Sequence, residues 1–194
     1  MNFIETAEKN REKAQIIIRD LGIEEIWRGI GAEVNLVGSV KSGLLMKNLD
    51  IDFHIYTDEL VIADSFAAVE KLAEHPSIRS ITYTNLIHTE EECMEWHAWY
   101  EESNAVVWQL DMIHIRRGSA YDGVVEKVTD GIIRLLTPET REAVLRIKNE
   151  VPETVKVPGI DIYRAVFTGN VRNYKDFTEW IASHPSGGVF GWIP

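Results

Sequence analysis

The chain has 194 residues, 45% of them hydrophobic, enough for one sizeable core or one core with a small helical appendage. Its net charge of −11 argues against a long nucleic-acid partner, because such partners are met by basic surfaces that neutralise many phosphates. No run of about 18 apolar residues occurs, the first stretch is charged from Glu5 onward, and the lone Cys93 has no disulfide partner; the reading is a cytoplasmic protein without membrane span or leader.

The helical spacing of Ala7, Ala14, Ile17, Ile18 and Leu21 predicts an amphipathic helix over residues 5–21 that Gly22 stops. A short helix follows over 23–30. Residues 33–37 read as a strand ending on Gly38-Ser39, and residues 49–56 as a second strand. A helix over 64–74 ends ahead of Pro76. Three strand-like runs come next, 78–87, 93–100 and 105–115, the last two joined across residues 101–104 as an antiparallel hairpin. Beyond Gly118 the pattern turns helical. Thr137-Pro138-Glu139 opens a helix to about residue 149, and two more are predicted at 160–167 and 174–183. The sum is an α+β protein: a small mixed β-sheet flanked by helices over 1–118, followed by a helical C-terminal portion over 119–194.

The chemistry concentrates in two strands. Alternate strand side chains share a face, so Asp50 and Asp52 point the same way while Ile51 and Phe53 enter the opposite layer. Two carboxylates that close repel unless a divalent cation neutralises both, and Mg²⁺ suits hard oxygen ligands completed by phosphates and water. Asp111 interrupts the apolar run VVWQLDMIHI, where a carboxylate calls for a partner. Gly38 lets backbone N–H groups approach a phosphate, Ser39 offers a hydroxyl and Lys41 a point charge.

Val37, Gly38, Ser39, ten intervening residues, then Asp50, Ile51, Asp52 and Phe53 meet every fixed position of a known signature. The stretch resembles the DNA polymerase beta nucleotidyltransferase superfamily over roughly residues 30–115, and Lys41 and Gly43 also match that enzyme's loop. The resemblance implies that Asp50 and Asp52 bind two Mg²⁺ ions, with Mn²⁺ as a substitute. It also implies that Asp111 takes the third-carboxylate place, and that Gly38-Ser39 holds the phosphates of a nucleoside triphosphate such as ATP. The implied activity is transfer of a nucleoside monophosphate to a hydroxyl of a small molecule or protein. The competing reading is an inactive, nucleotide-binding or antitoxin-like regulator, against which the three intact acids weigh.

Other candidates have plainer readings. His54 shares the face of Asp50 and Asp52 but reads first as packing, and His88, His97 and His114 show no zinc-ligand spacing. Trp96, Trp99, Tyr100 and Trp108 are explained by cross-strand packing, and Arg116-Arg117 by solvation. In the C-terminal portion Asp161, Tyr163, Arg164 and Arg172 recur near helical spacing. That portion is expected to cover the helix-poor side of the sheet, bring Tyr163 or Arg164 to the cleft and supply acceptor specificity.

Overall fold

The structure, a computed structural model, describes residues 2–188 and 191–194. Helix α1 (Phe3–Leu21) starts where the Asn2 side chain accepts the Glu5 N–H and stops where Gly22 turns left-handed at φ 60°. α2 (Ile23–Arg28) follows at once. Then come β1 (Glu33–Leu36), α3 (Gly38–Ser42), β2 (Asp50–Thr57) and α4 (Ile62–Ala73). The three successive strands β3 (Ile78–Leu86), β4 (Cys93–Glu101) and β5 (Val107–Arg116) precede four helices: α5 (Val124–Leu135), α6 (Pro138–Glu150), α7 (Gly159–Gly169) and α8 (Tyr174–Ser183). The Thr137 capping box opens α6 as the Thr-Pro-Glu run predicts. Among the described residues no helix is long and apolar enough to cross a membrane.

The five strands form one mixed sheet in the order β1-β2-β5-β4-β3. Only β2 and β5 run parallel; the other neighbours are antiparallel. One face carries Ile51, Phe53, Ile55, Trp96, Trp108, Leu110 and Met112, all buried against α1, α2 and α4. The strands alternate, so the opposite face carries Asp50, Asp52 and Asp111.

The C-terminal helices build a second core of their own. Val144, Leu145, Ile147, Ile162, Val166 and Phe177 pack together and enclose Ala7 of α1 with Leu44 and Met46 of the loop after α3. Of this portion, α5 and the start of α7 border the carboxylate side of the sheet, with Glu126 bonded to Asn35 and Tyr56. The apolar stripes of α6, α7 and α8 satisfy one another and the first half of α1, and α5 is the helix that packs on α3.

Under the apolar face lies a polar chain. His114, on the face opposite Asp111, hydrogen-bonds Ser65 at 3.1 Å and Thr57 at 2.8 Å, while Trp96 donates to Ser65 at 2.9 Å. Thr57 gives its own proton to the Glu59 carbonyl, so it accepts from His114 Nε2. Burial pushes the His114 imidazole down to about 4 from 6.5. The folded state therefore keeps this ring neutral, and its contribution is intact above pH 6.5 and lost as pH falls toward 4. We expect a loss of about 3 kcal/mol across that window. Urea unfolding of wild type and His114→Gln at several pH values checks it: equal slopes for the two proteins between pH 4 and 6.5 would rule out His114 as the source.

Candidate active site

The register of β2 against β5 sets Asp52 directly beside Asp111, and Asp50 beside Gln109. Three carboxylates from two strands thus meet on one face, as strand parity predicts. Burial, then the neighbouring Asp111, raises Asp50 above its ordinary value. Asp52 is pushed up to about 7 by burial and by the charges of Asp111 and Asp50, against a smaller opposing pull from Lys148 and the Ser39 backbone N–H.

Beside them the chain leaves β1 and turns sharply at Gly38, whose φ is +66°. A Cβ there would stand 2.2 Å from Asp52 Oδ2, so only glycine allows the loop to lie against the carboxylate. The loop is fixed from both sides. Val37 N–H donates to the Asp52 carbonyl at 2.9 Å, and Gly38 N–H to Thr129 Oγ1 of α5 at 3.2 Å.

Lys148 of α6 is the basic residue that the sequence reading passed over. Its ammonium donates to Ser39 Oγ at 2.8 Å, to the Leu44 carbonyl at 2.9 Å and to the Tyr163 hydroxyl at 3.0 Å. Tyr163 also lies 3.3 Å from Ser39 Oγ. Lys41 instead pairs with Asp130 of α5 at 2.7 Å. The two helices after the loop thereby place one cation over Ser39 and tie another back to the fold. Arg164 is turned away from the cleft, bonded to the carbonyls of His184 and Pro185 and stacked over Trp180. Arg172 is held by Glu139 and the backbone, Arg116 by Glu92, and Arg117 by Glu33. His54 packs beside Tyr56 and lies 3.4 Å from Glu126 of α5, bracing β2.

Two cavities flank the carboxylates. One, of about 420 Å³, is lined by Ser39, Lys47, Asp50, Lys148, Pro158 and Ile162. The other, of about 290 Å³, lies between the sheet and α5 and is lined by Asp52, His54, Asp111, Val128, Ile160 and Tyr163.

Among the described residues no three His, Cys, Asp or Glu side chains form a ready-made metal cage. The donor set nevertheless fits Mg²⁺. Its members are hard carboxylate oxygens, burial and then the charges of Asp111 and Asp50 disfavour the ionised form of Asp52, and Mg²⁺ usually takes one or two carboxylates plus substrate phosphates rather than an all-protein shell.

The fold is nucleotidyltransferase-like. Solved structures with this fold include Cid1, described for its RNA terminal uridylyl transferase activity: TM-score 0.58 and 16% identity, over 81% of this chain and 46% of that one. Cid1 with MgGTP bound gives TM-score 0.60 at 16% identity, over 81% of this chain and 49% of that one. The non-canonical poly(A) polymerase complex GLD-2–GLD-3 gives 0.53 at 11%, over 95% of this chain and 64% of that one. The chain spans about half the length of the Cid1 chains it matches. No family model matches the sequence, and no curated protein does.

Proposed function

We propose that the protein is a metal-dependent nucleotidyltransferase that moves a nucleoside monophosphate from a nucleoside triphosphate to a hydroxyl of a small molecule or a protein side chain. The observation that carries this reading is the single row of Asp52 and Asp111, flanked by Asp50, lying against a loop that only glycine can form. Cid1, a structural relative, has been solved with MgGTP and with MgATP, which supports the same ligand class here.

In this reading the Ser39 hydroxyl and the Lys148 ammonium hold the outer phosphates. Asp50, Asp52 and Asp111 would hold Mg²⁺, which neutralises the triphosphate and acidifies the acceptor hydroxyl when bound. The acceptor oxygen bonds to the α-phosphorus as the bond to the bridging oxygen breaks; pyrophosphate leaves, and the hydroxyl proton passes to solvent, or to Asp111 where the metal does not engage it. The chain's net charge of −11 favours a compact acceptor over an RNA strand. Pyrophosphate release from ATP, CTP, GTP and UTP with Mg²⁺ tests the proposal, using hydroxylated small molecules, peptides and an RNA oligonucleotide as acceptors. No release with any combination would overturn it, and release with the RNA alone would overturn the acceptor class.

The two lysines separate cleanly. Lys148→Met removes a charge-assisted contact and should raise the KM for the nucleotide about 10–100-fold. Lys41→Ala breaks only the exposed pair with Asp130 and should change it by no more than about threefold. Steady-state kinetics on both variants decides, and the reverse order would return the phosphate contact to Lys41.

A further inference from the structure

We infer that His97, assisted by Gln109, is a positioning residue that sets the orientation of Asp111 for the metal; the inference rests on the nucleotidyl-transfer reading. In the antiparallel ladder His97 lies opposite Asp111, which lies opposite Asp52 in the parallel one. One line across three strands reads Asp52, Asp111, His97. His97 Nδ1 stands 2.5 Å from Asp111 Oδ1, and Gln109 Nε2 donates to that same oxygen at 2.7 Å. Both contacts fall on one oxygen, while Oδ2 takes no hydrogen bond from the described residues. A carboxylate gripped in this way keeps one torsion and offers its second oxygen in a fixed direction, as the outer partners of metal ligands do.

The pair does little else. His97 and Asp111 keep 29% and 24% of their side-chain surface exposed, so the contact is not core packing. On the other ring nitrogen, His97 Nε2 is 4.0 Å from Glu95, beyond hydrogen-bond reach. A part-buried hydrogen bond of this kind contributes about 1 kcal/mol, so its replacement leaves the fold intact and the larger loss falls on the site.

The test uses His97→Phe, which keeps a flat ring without the donor, and His97→Asn, whose amide can restore it. Two readouts apply: pyrophosphate release, and the Mg²⁺ concentration that half-saturates the melting shift given by a non-hydrolysable ATP analogue. His97→Phe should lower kcat and raise the Mg²⁺ half-saturation by about 10–100-fold, with the nucleotide KM within about threefold of wild type. His97→Asn should recover most of the loss, and in an Asp111→Asn background His97→Phe should add nothing. Unchanged Mg²⁺ half-saturation in His97→Phe, or losses that multiply in the double variant, would overturn the inference. If wild type shows the Mg²⁺ shift but releases no pyrophosphate, the transfer reading fails while the Mg²⁺ readout still decides the role of His97. If wild type shows no Mg²⁺ shift, both fall.

Discussion

Asp52→Asn should abolish function while making the metal-free protein more stable. Asp52 stands beside Asp111 and is raised to about 7 because burial and two like charges disfavour its ionised form. Asparagine keeps the shape and removes the charge. We expect activity to fall on the order of 10³-fold and the melting shift given by Mg²⁺ with ATP to disappear. Stability should move the other way. The folded value lies above the ordinary 3.8, so the folded state holds the proton more tightly and the group's penalty grows as pH climbs through 7. Discounted for the partial exposure of Asp52, the gain in Asp52→Asn should be about 2 kcal/mol at pH 8 and should vanish toward pH 4. Denaturant melts of both proteins at the two pH values check this. A variant less stable than wild type at pH 8 would mean that Asp52 is satisfied in the fold by something other than a metal.

Gly38→Ala should destabilise the fold and disable the site together. It meets two obstacles, a φ of +66° and an added Cβ 2.2 Å from Asp52 Oδ2. The left-handed backbone alone costs about 1–2 kcal/mol, and the overlap with a short side chain anchored on β2 brings the total to about 2–4 kcal/mol. Gly118 supplies the control. It has φ +75° and nothing within 4 Å of an added Cβ, so Gly118→Ala should show the backbone cost only. Gly38→Ala should also lose the melting shift with Mg²⁺ and ATP, because Asp52 must move to admit the methyl group. Equal destabilisation by the two substitutions, with the shift retained, would show that the loop is not held against the carboxylate.

What could be read from the sequence was local. Val37 to Ser39 and Asp50 to Phe53 lie within a short stretch, and strand parity alone puts Asp50 and Asp52 on one face. Asp111 stood out as a charge in an apolar run. Lys148 did not, because its segment, LRIKNE, has the charge pattern of a solvated helix end; only the return of α6 over α3 brings it to Ser39. Lys41 was assigned to the phosphates by nearness in the chain, whereas the axis of α3 carries it to Asp130. His97 was hidden by one detail of register. A hairpin loop over residues 101–104 sets residue 100 against 105 and turns His97 to the other face. The real turn pairs Glu101 with Val107, helped by Ala105 in the left-handed region at φ 63°, and puts His97 opposite Asp111. The docking of the C-terminal helices was illegible for a different reason: an amphipathic stripe says that a helix will be buried, and not against what.

The parallel pairing of β2 with β5 also bears on how the molecule assembles. β3 with β4, and β4 with β5, are joined by short connections and can zip early. β2 and β5 are separated in the chain by α4 and two strands, so their pairing is the longest-range closure of the sheet and is expected to be the slow one. It is also the step that brings Asp52 and Asp50 up to Asp111. On that order the chain would bring these like charges together only once a nearly finished sheet exists to hold them.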